Sequence, residues 1–589
     1  MKASRITLLC MTCLVAAAII ACGDDDPVTP TPSPTPTPAD TVPSSPTDPA
    51  TTIDGWPADY GGVILQGFYW NSYGDTQWSR LAAQADDLAP YFSLVWVPQS
   101  GNCGGTSMGY DDLYWFDNYN SSFGTEAELR NMIHTFGQKG IGTIADVVIN
   151  HRRNVSNWVD FPSETYKGVT YEMLPSDICA NDDGGKTATW ASQNGYSLSN
   201  TNDSGEGWDG MRDLDHNSAN VQTIVKAYLD FLLNDLGYAG FRYDMVKGYS
   251  GRFTKLYNES AKPQFSVGEC WDGTNTIKNW IEGTKANGDI QSAAFDFQFR
   301  YTVRNAVNTG NWARLGQQND GNWPLVSANT LSGSYRQWAV TFVENHDTEY
   351  RDAAAQQDPI KKDTLAANAF MLASPGTPCV FLKHWKAYKH DIARMIQARQ
   401  LCGITNTSAF RQLQATLDHY AATTTGTKGD LTMWLGNQSD AATTLTGLTC
   451  ILAGQNYSYW VEPALATQWR ALAEPTFQED NVQRHDVTIY LRDPGWQKVY
   501  YYAWDGNMYI DDSWPGLPVT ATRDIDGARY YYRTFNVSAE TSYSMNVIFN
   551  QGSSEAQTID ITGITADAYY EIGERNADGK FTVRQLPNP

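Results

Sequence analysis

The chain has 589 residues, a formal net charge of -23, only 18% charged residues and 13% aromatic residues, with 20 Trp and 33 Tyr. That length exceeds one hydrophobic core and predicts three or four units. So strong a negative field repels a phosphate backbone and excludes nucleic acid as a partner. Aromatic wealth suits either large cores or surfaces that stack on flat apolar ligand faces.

In chain order, residues 1–22 read as an export signal. Lys2 and Arg5 precede a short apolar run, Leu8 to Ile20, too short for a membrane span. The run ends in Ile19-Ile20-Ala21-Cys22, which resembles the bacterial lipobox and marks Cys22 for lipidation. A plain cleaved signal is the alternative. Gly23-Asp24-Asp25-Asp26 resembles the acidic tag of surface-exported lipoproteins of some Gram-negative bacteria. This predicts a membrane-anchored protein of the outer membrane and cell surface, or else a secreted one. Residues 23–54 are dominated by Pro, Thr, Ser and Asp and predict an extended tether without a core. Beyond Cys10, Cys13 and Cys22 six cysteines remain, without metal-type spacing. Export permits disulfides, and buried thiols are equally compatible.

Residues 55–400 alternate short apolar runs with amphipathic stretches. Strands are predicted at Val63–Leu65, Leu94–Val97, Thr143–Ile149, Gly240–Tyr243, Phe265–Val267, Val340–Val343 and Cys379–Phe381. Helices are predicted at Gln77–Leu88, Glu126–Gln138, Val221–Leu236, Lys361–Leu372 and Asp391–Arg399. Such repetition predicts an α/β fold, a parallel (β/α)8 TIM barrel. A doubly wound open sheet is the alternative, although no Gly-rich phosphate loop follows the first strand. Residues 152–212, rich in Asp, Asn, Gly and Ser, predict a subdomain inserted after strand 3. A small antiparallel β domain is expected over 401–462 and a linker over 463–484. A β-sandwich is expected over 485–589, from its period-two alternation and its turns at Asp505-Gly506-Asn507 and Asn550-Gln551-Gly552.

Polar residues just past a barrel strand stand at the C-terminal mouth, where active sites are built. Four strands end this way, in Ala145 to His151, Phe241 to Asp244, Val267 to Glu269, and Phe342 to Asp347. One such acid could be a cap or a salt bridge. Several on one rim would repel and destabilise the fold without a function. Paired carboxylates with Arg and His between them suit glycoside hydrolysis. Arg242, two residues before Asp244 on the same strand face, should keep Asp244 ionised as nucleophile. Glu269, on the adjacent strand, should keep its proton through burial and a negative neighbour and act as the acid. Asp347, His151 and His346 would engage sugar hydroxyls.

These four segments resemble the signature regions of the α-amylase family, closest to plant-type and related bacterial members. The similarity runs from about Gly62 to Trp460. It includes Leu65-Gln66-Gly67-Phe68-Tyr69-Trp70, Gly109-Tyr110, Asp213-Leu214-Asp215-His216, Lys247-Gly248-Tyr249-Ser250 and Pro375-Gly376-Thr377-Pro378-Cys379. The resemblance implies retaining endo-hydrolysis of α-1,4 bonds in starch, glycogen and maltooligosaccharides. Asp244 would be nucleophile, Glu269 acid/base and Asp347 transition-state stabiliser. His151, Arg242 and His346 would contact the sugar, Tyr110 would stack beneath it unless it merely packs, and Lys247 would reach the leaving-group side. An exo-acting or transglycosylating member of the family is the alternative, and a glucan-binding protein with a dead barrel conflicts with the intact acids.

The resemblance also implies one Ca2+ held by Asn150, Asp203, Asp213 and the Gly248 carbonyl, with the Glu206 carbonyl as a further candidate, an all-oxygen shell that suits a hard cation. Apart from the resemblance, Asp203 reads as an ordinary turn residue. Val499 to Asp505, Ser513-Trp514-Pro515-Gly516 and Asn546 to Asn550 resemble a starch-binding module of family 26, implying a sugar platform of Tyr500, Tyr502 and Trp514. Tyr500, Tyr502 and Trp504 share one strand face, which could instead be core. A monomer is the default expectation.

Overall fold

The computed structural model describes residues 55–329, 331–351, 357–478, 484–505, 515–538, 544–552 and 556–588. Cys22, the signal and tether, the Gly506-Asn507 turn and Trp514 lie outside them.

Eight parallel strands close a barrel: Ile64–Gln66, Leu94–Val97, Gly142–Val147, Gly240–Tyr243, Phe265–Gly268, Ala293–Phe295, Ala339–Phe342 and Thr377–Phe381. All are buried, as the near-continuous apolar runs require. The sixth, Ala293–Phe295, has no counterpart among the predicted strands. It is three residues long and lacks β-branched residues, so tertiary pairing makes it a strand. Ala293 pairs with Val267, and Ala294 with Ala339, closing the ring.

Helix Glu126–Gln138 shows why the outer elements form where they do. Thr125 and Glu128 make a reciprocal capping box, and Leu129, Met132, Ile133 and Phe136 bury one face at helical spacing. The predicted Asp391–Arg399 helix is part of a longer one, Leu382–Cys402.

The insertion at 152–212 holds a short helix, Lys186–Gln193, and the hairpin of Ser163–Tyr166 with Val169–Glu172. It is joined to the barrel by pairing of His151–Arg152 with Arg212–Asp213. With so little regular structure, buried ion pairs organise it. Arg152 meets Glu164 at 2.5 Å and Arg212 meets Asp182 at 2.6 Å. Glu164 also accepts the backbone N–H groups of Trp115, Phe116 and Asp117, tying the insertion to the loop after the second strand.

Five antiparallel strands between Ala409 and Val461 form the next sheet. It docks on the buried helix Thr364–Ala373, where Thr424 and Tyr459 donate hydroxyls to the carbonyls of Ala373 and Ala369, both at 2.5 Å. The segment expected to be a linker starts instead as a helix, Pro463–Ala471. Trp469 lies 3.7 Å beneath the Arg394 guanidinium, and Phe477 packs against Tyr91 and Trp385. Aromatic burial fixes this segment on the barrel.

The C-terminal residues form two sheets, of five and four strands, with their own core that includes Val487, Ile489, Leu491, Tyr501, Val547 and Phe549. The described cysteines are unpaired thiols, buried except Cys450. No described helix is long and apolar enough to cross a membrane.

Candidate active site

Strand register assembles the centre. Asp146 pairs with Arg242 across the third and fourth strands, both buried at the barrel mouth. The ladder runs on by one bond on each side. Asp244 donates its N–H to Val147 at 3.0 Å, and Glu269 donates to Tyr243 at 2.9 Å. The two acids thereby stand on adjacent strand ends.

A single guanidinium connects them. Arg242 Nη1 lies 2.6 Å from both Asp146 Oδ1 and Asp244 Oδ1, and Nη2 lies 2.9 Å from Glu269 Oε2. The Met245 N–H also donates to Glu269 Oε2, at 3.1 Å. Burial pushes the Asp244 carboxyl up to about 6 against the opposing pull of Arg242, with Asp146 and Asp347 adding to the rise. So Arg242 favours ionised Asp244, as its position predicted, but only in part offsets desolvation. Glu269 goes further, to about 8, because its burial is reinforced by the negative charges of Asp244 and Asp347. At neutral pH the pair divides into one ionised and one protonated carboxyl, the division an acid/nucleophile couple needs.

The remaining rim is a hydrogen-bonded layer. Gln66 donates its amide to His346 Nδ1 at 2.9 Å, which leaves the ring proton on Nε2. That nitrogen lies 2.6 Å from the Tyr110 hydroxyl and 3.1 Å from Asp347 Oδ2. Tyr110 donates to Asp146 Oδ2 at 3.0 Å, and Trp96 Nε1 donates to the same oxygen at 3.2 Å. His151 Nε2 reaches the Tyr110 carbonyl at 2.9 Å. Burial lowers both histidines to about 4, so they are neutral donors at working pH. The Tyr110 ring lies parallel to His346 at 5.4 Å and to Trp70 at 6.1 Å. Lys247 stands apart at the mouth, 2.5 Å from Glu206 and 3.1 Å from Asp272.

The structure therefore brings together Tyr110, His151, Arg242, Asp244, Glu269, His346 and Asp347. Sequence reasoning left Asp146, Gln66, Trp96, Trp70, Trp208 and Arg351 without roles. Asp146 and Gln66 lay inside quoted motifs and were recoverable from strand phase. Trp208, stacked on His151 at 5.8 Å, and Arg351 sit on irregular loops where no periodicity points.

Oxygen atoms also collect behind the site. A side chain at position 248 would collide with Asn150 Oδ1, and one at 207 with Asp213 Oδ2, with Asp203 Oδ2 3.3 Å away. Asp203 Oδ2 is buried without a hydrogen-bond partner. Burial, together with Asp182 and Asp203, pushes Asp213 up to about 7. Crowded carboxylates, one with an unpartnered oxygen, beside an amide oxygen fit a hard divalent cation. Among the described residues no group of three or more His, Cys, Asp or Glu side chains is arranged as a metal site, so such an ion would depend on Asn150 and carbonyls as well. The Glu206 carboxylate is drawn to Lys247, and only its backbone carbonyl lies near Asn150, 3.4 Å from Nδ2. The Gly248 carbonyl accepts from Ser204 Oγ at 3.1 Å.

On the C-terminal module Tyr501 and Ala503 face the core, while Tyr500, Tyr502 and Trp504 are half-buried on the opposite face. The face could have been core, and it is not. Tyr502 and Trp504 lie 5.6 Å apart.

A closed parallel barrel whose mouth carries two carboxylates of unequal acidity on a shared arginine is built as a glycoside hydrolase. Residues 98–384 match the family model described as alpha amylase, catalytic domain. The chain is 31% identical over 382 residues to a probable alpha-amylase 2 of Arabidopsis thaliana, covering 61% of this chain and 85% of that protein. It is 28% identical to a glucan 1,4-alpha-maltotetraohydrolase of Roseateles saccharophilus, covering 59% of this chain and 64% of the relative. To an alpha-amylase of Geobacillus stearothermophilus it is 27% identical, covering 55% and 66%. Among solved structures, an alpha-amylase from H. orenii superposes with a TM-score of 0.46 at 16% identity, covering 68% of this chain and 97% of that one. The chain belongs to the α-amylase family, and is a glycoside hydrolase.

Proposed function

We propose that the protein is a retaining α-amylase that cleaves internal α-1,4 bonds of starch, glycogen and maltooligosaccharides. The observation that carries this reading is the Arg242 guanidinium, bonded at once to Asp244 and Glu269. Ionised Asp244 attacks the anomeric carbon while protonated Glu269 gives its proton to the departing glycosidic oxygen, forming a glucosyl-enzyme ester. Glu269, now a carboxylate, takes a proton from water. The hydroxide equivalent displaces Asp244, and the α configuration is restored. Asp347, His346 and His151 hold sugar hydroxyls, Tyr110 supplies a flat face beneath the ring, and Lys247 lies on the leaving-group side. Arg242 keeps Asp244 ionised, and Asp146 fixes Arg242 from behind.

Ca2+ held by Asn150, Asp203, Asp213 and the Gly248 carbonyl, with the carbonyl rather than the carboxylate of Glu206, would tie the insertion to the segment after Asp244. Its contribution is rigidity. Support comes from the unpartnered Asp203 oxygen.

The C-terminal sandwich is read as a starch-binding module using Tyr500 and Tyr502, supported by their outward face, together with Trp514. Lipidation at Cys22 and display at the outer membrane and cell surface rest on the leader sequence alone, and a monomer is the default reading.

The test is digestion of soluble starch, with product sizes and anomeric configuration followed by chromatography and polarimetry. Mixed short oligomers of α configuration are expected, and β products would overturn the mechanism. A single product released from chain ends would favour the exo-acting alternative, which similarity to maltotetraohydrolases makes the second reading. Asp244→Asn should abolish the reaction.

A further inference from the structure

The loop after the seventh strand carries more than Asp347. Four residues on, the Arg351 guanidinium donates twice to the His346 carbonyl, through Nη2 at 2.5 Å and Nε at 3.1 Å. Nη2 also meets Asp347 Oδ1 at 2.9 Å. The other Asp347 oxygen lies 3.1 Å from His346 Nε2, so both oxygens of the carboxylate are held.

The guanidinium itself is fixed from its flat side. It lies 3.8 Å from the centre of the Trp70 ring, a cation–π distance at which charge and planar shape both count. Trp70 is held in turn by the same loop. Its backbone N–H donates to buried Glu349 at 2.7 Å, and Glu349 pairs with Lys383. Glu349 at its backbone and Arg351 on its indole therefore make Trp70 the link between the seventh-strand loop and the first-strand loop. An Arg–carboxylate contact at a partly exposed rim is ordinarily weak because both chains are free to move. Here two carbonyl bonds and an aromatic face remove that freedom.

We propose that Arg351 is a positioning residue for the glycosidase reaction: it sets the orientation of Asp347 and, by lying on Trp70, couples that orientation to the first-strand wall of the cleft. The inference rests on Asp347 acting on the sugar during the reaction. It predicts that Arg351 matters through Asp347 and not through folding.

The experiment uses the whole exported chain with an aryl maltooligosaccharide, so that very slow variants remain measurable. Arg351→Ala should lower kcat by about 10- to 100-fold, the scale carried by a misplacement of roughly 1 Å. KM should change by less than about threefold, because Asp347, once misaligned, fails the transition state more than the bound substrate. Arg351→Lys keeps the charge but not the planar fork, and should fall between parent and Ala variant. The thermal midpoint should stay with the parent in both. In an Asp347→Asn background, Arg351→Ala should have no further effect. A kcat within about twofold of the parent in Arg351→Ala would overturn the proposal. So would an equally large fall in the Asp347→Asn background, which would show that Arg351 acts elsewhere. If Asp347→Asn itself kept the parent rate, the role given to Asp347 would be what failed, and this inference would fall with it.

Discussion

Replacing Arg242 with Met removes one positive charge from among three buried carboxylates at 2.6, 2.6 and 2.9 Å. Opposite unit charges about 4 Å apart interact by about 4 kcal/mol at an effective dielectric near 20. At about 1.36 kcal/mol per pKa unit, that is roughly three units. Asp244 already stands at about 6 with the arginine in place, and the arginine is the main influence lowering it. Without it the carboxyl should rise past neutrality. A nucleophile must be ionised, so the acid limb of the kcat/KM profile should move toward alkaline pH by about two to three units, with about a 10- to 100-fold loss at neutral pH. Stability should suffer less than the ~3–5 kcal/mol of a broken buried ion pair, because the orphaned acids can take up protons. The assay is a pH–rate profile on an aryl maltooligosaccharide, with near-ultraviolet circular dichroism to confirm packing. A folded variant whose acid limb stays within about half a unit of the parent's would refute the idea that Arg242 governs Asp244.

Glu269→Gln should abolish activity and stabilise the protein in a pH-dependent way. The folded-state pKa of about 8 lies above the ordinary 4.5, so ionisation favours the unfolded chain. The penalty is absent below about pH 4.5 and grows until about pH 8. The variant's thermal midpoint should therefore exceed the parent's at pH 8 and match it at pH 4; an equal gap at both would contradict the assignment. A calcium chelator should lower the parent's thermal midpoint in scanning fluorimetry, and Asp203→Asn or Asp213→Asn should shrink that drop; an unchanged parent would rule out a structural ion. Tyr500→Ala combined with Tyr502→Ala should weaken sedimentation with granular starch while leaving rates on short soluble oligosaccharides unaltered, and undiminished binding would remove these residues from the platform.

Where chemistry follows strand phase, the chain could be read directly. Arg242 and Asp244 share a face because residues two apart in a strand must, and seven of the eight barrel strands announce themselves as apolar runs. The sixth did not, because Ala293–Phe295 becomes a strand only between two partners already in place. The same limit applied to Pro463–Ala471, a helix held by Trp469 beneath Arg394. Position along the chain named the Glu206 carbonyl as a metal candidate, and only the fold shows that Lys247 takes its carboxylate.

Local periodicity in the chain points to the barrel, places the acids at its mouth and puts Tyr500, Tyr502 and Trp504 on one strand face, while only the fold turns that face away from the core. How acidic those groups are, and which of them touch, is set by the folded arrangement. Desolvation and charge proximity arise only when distant segments meet, and that is how burial and neighbouring carboxylates come to set Glu269 above Asp244.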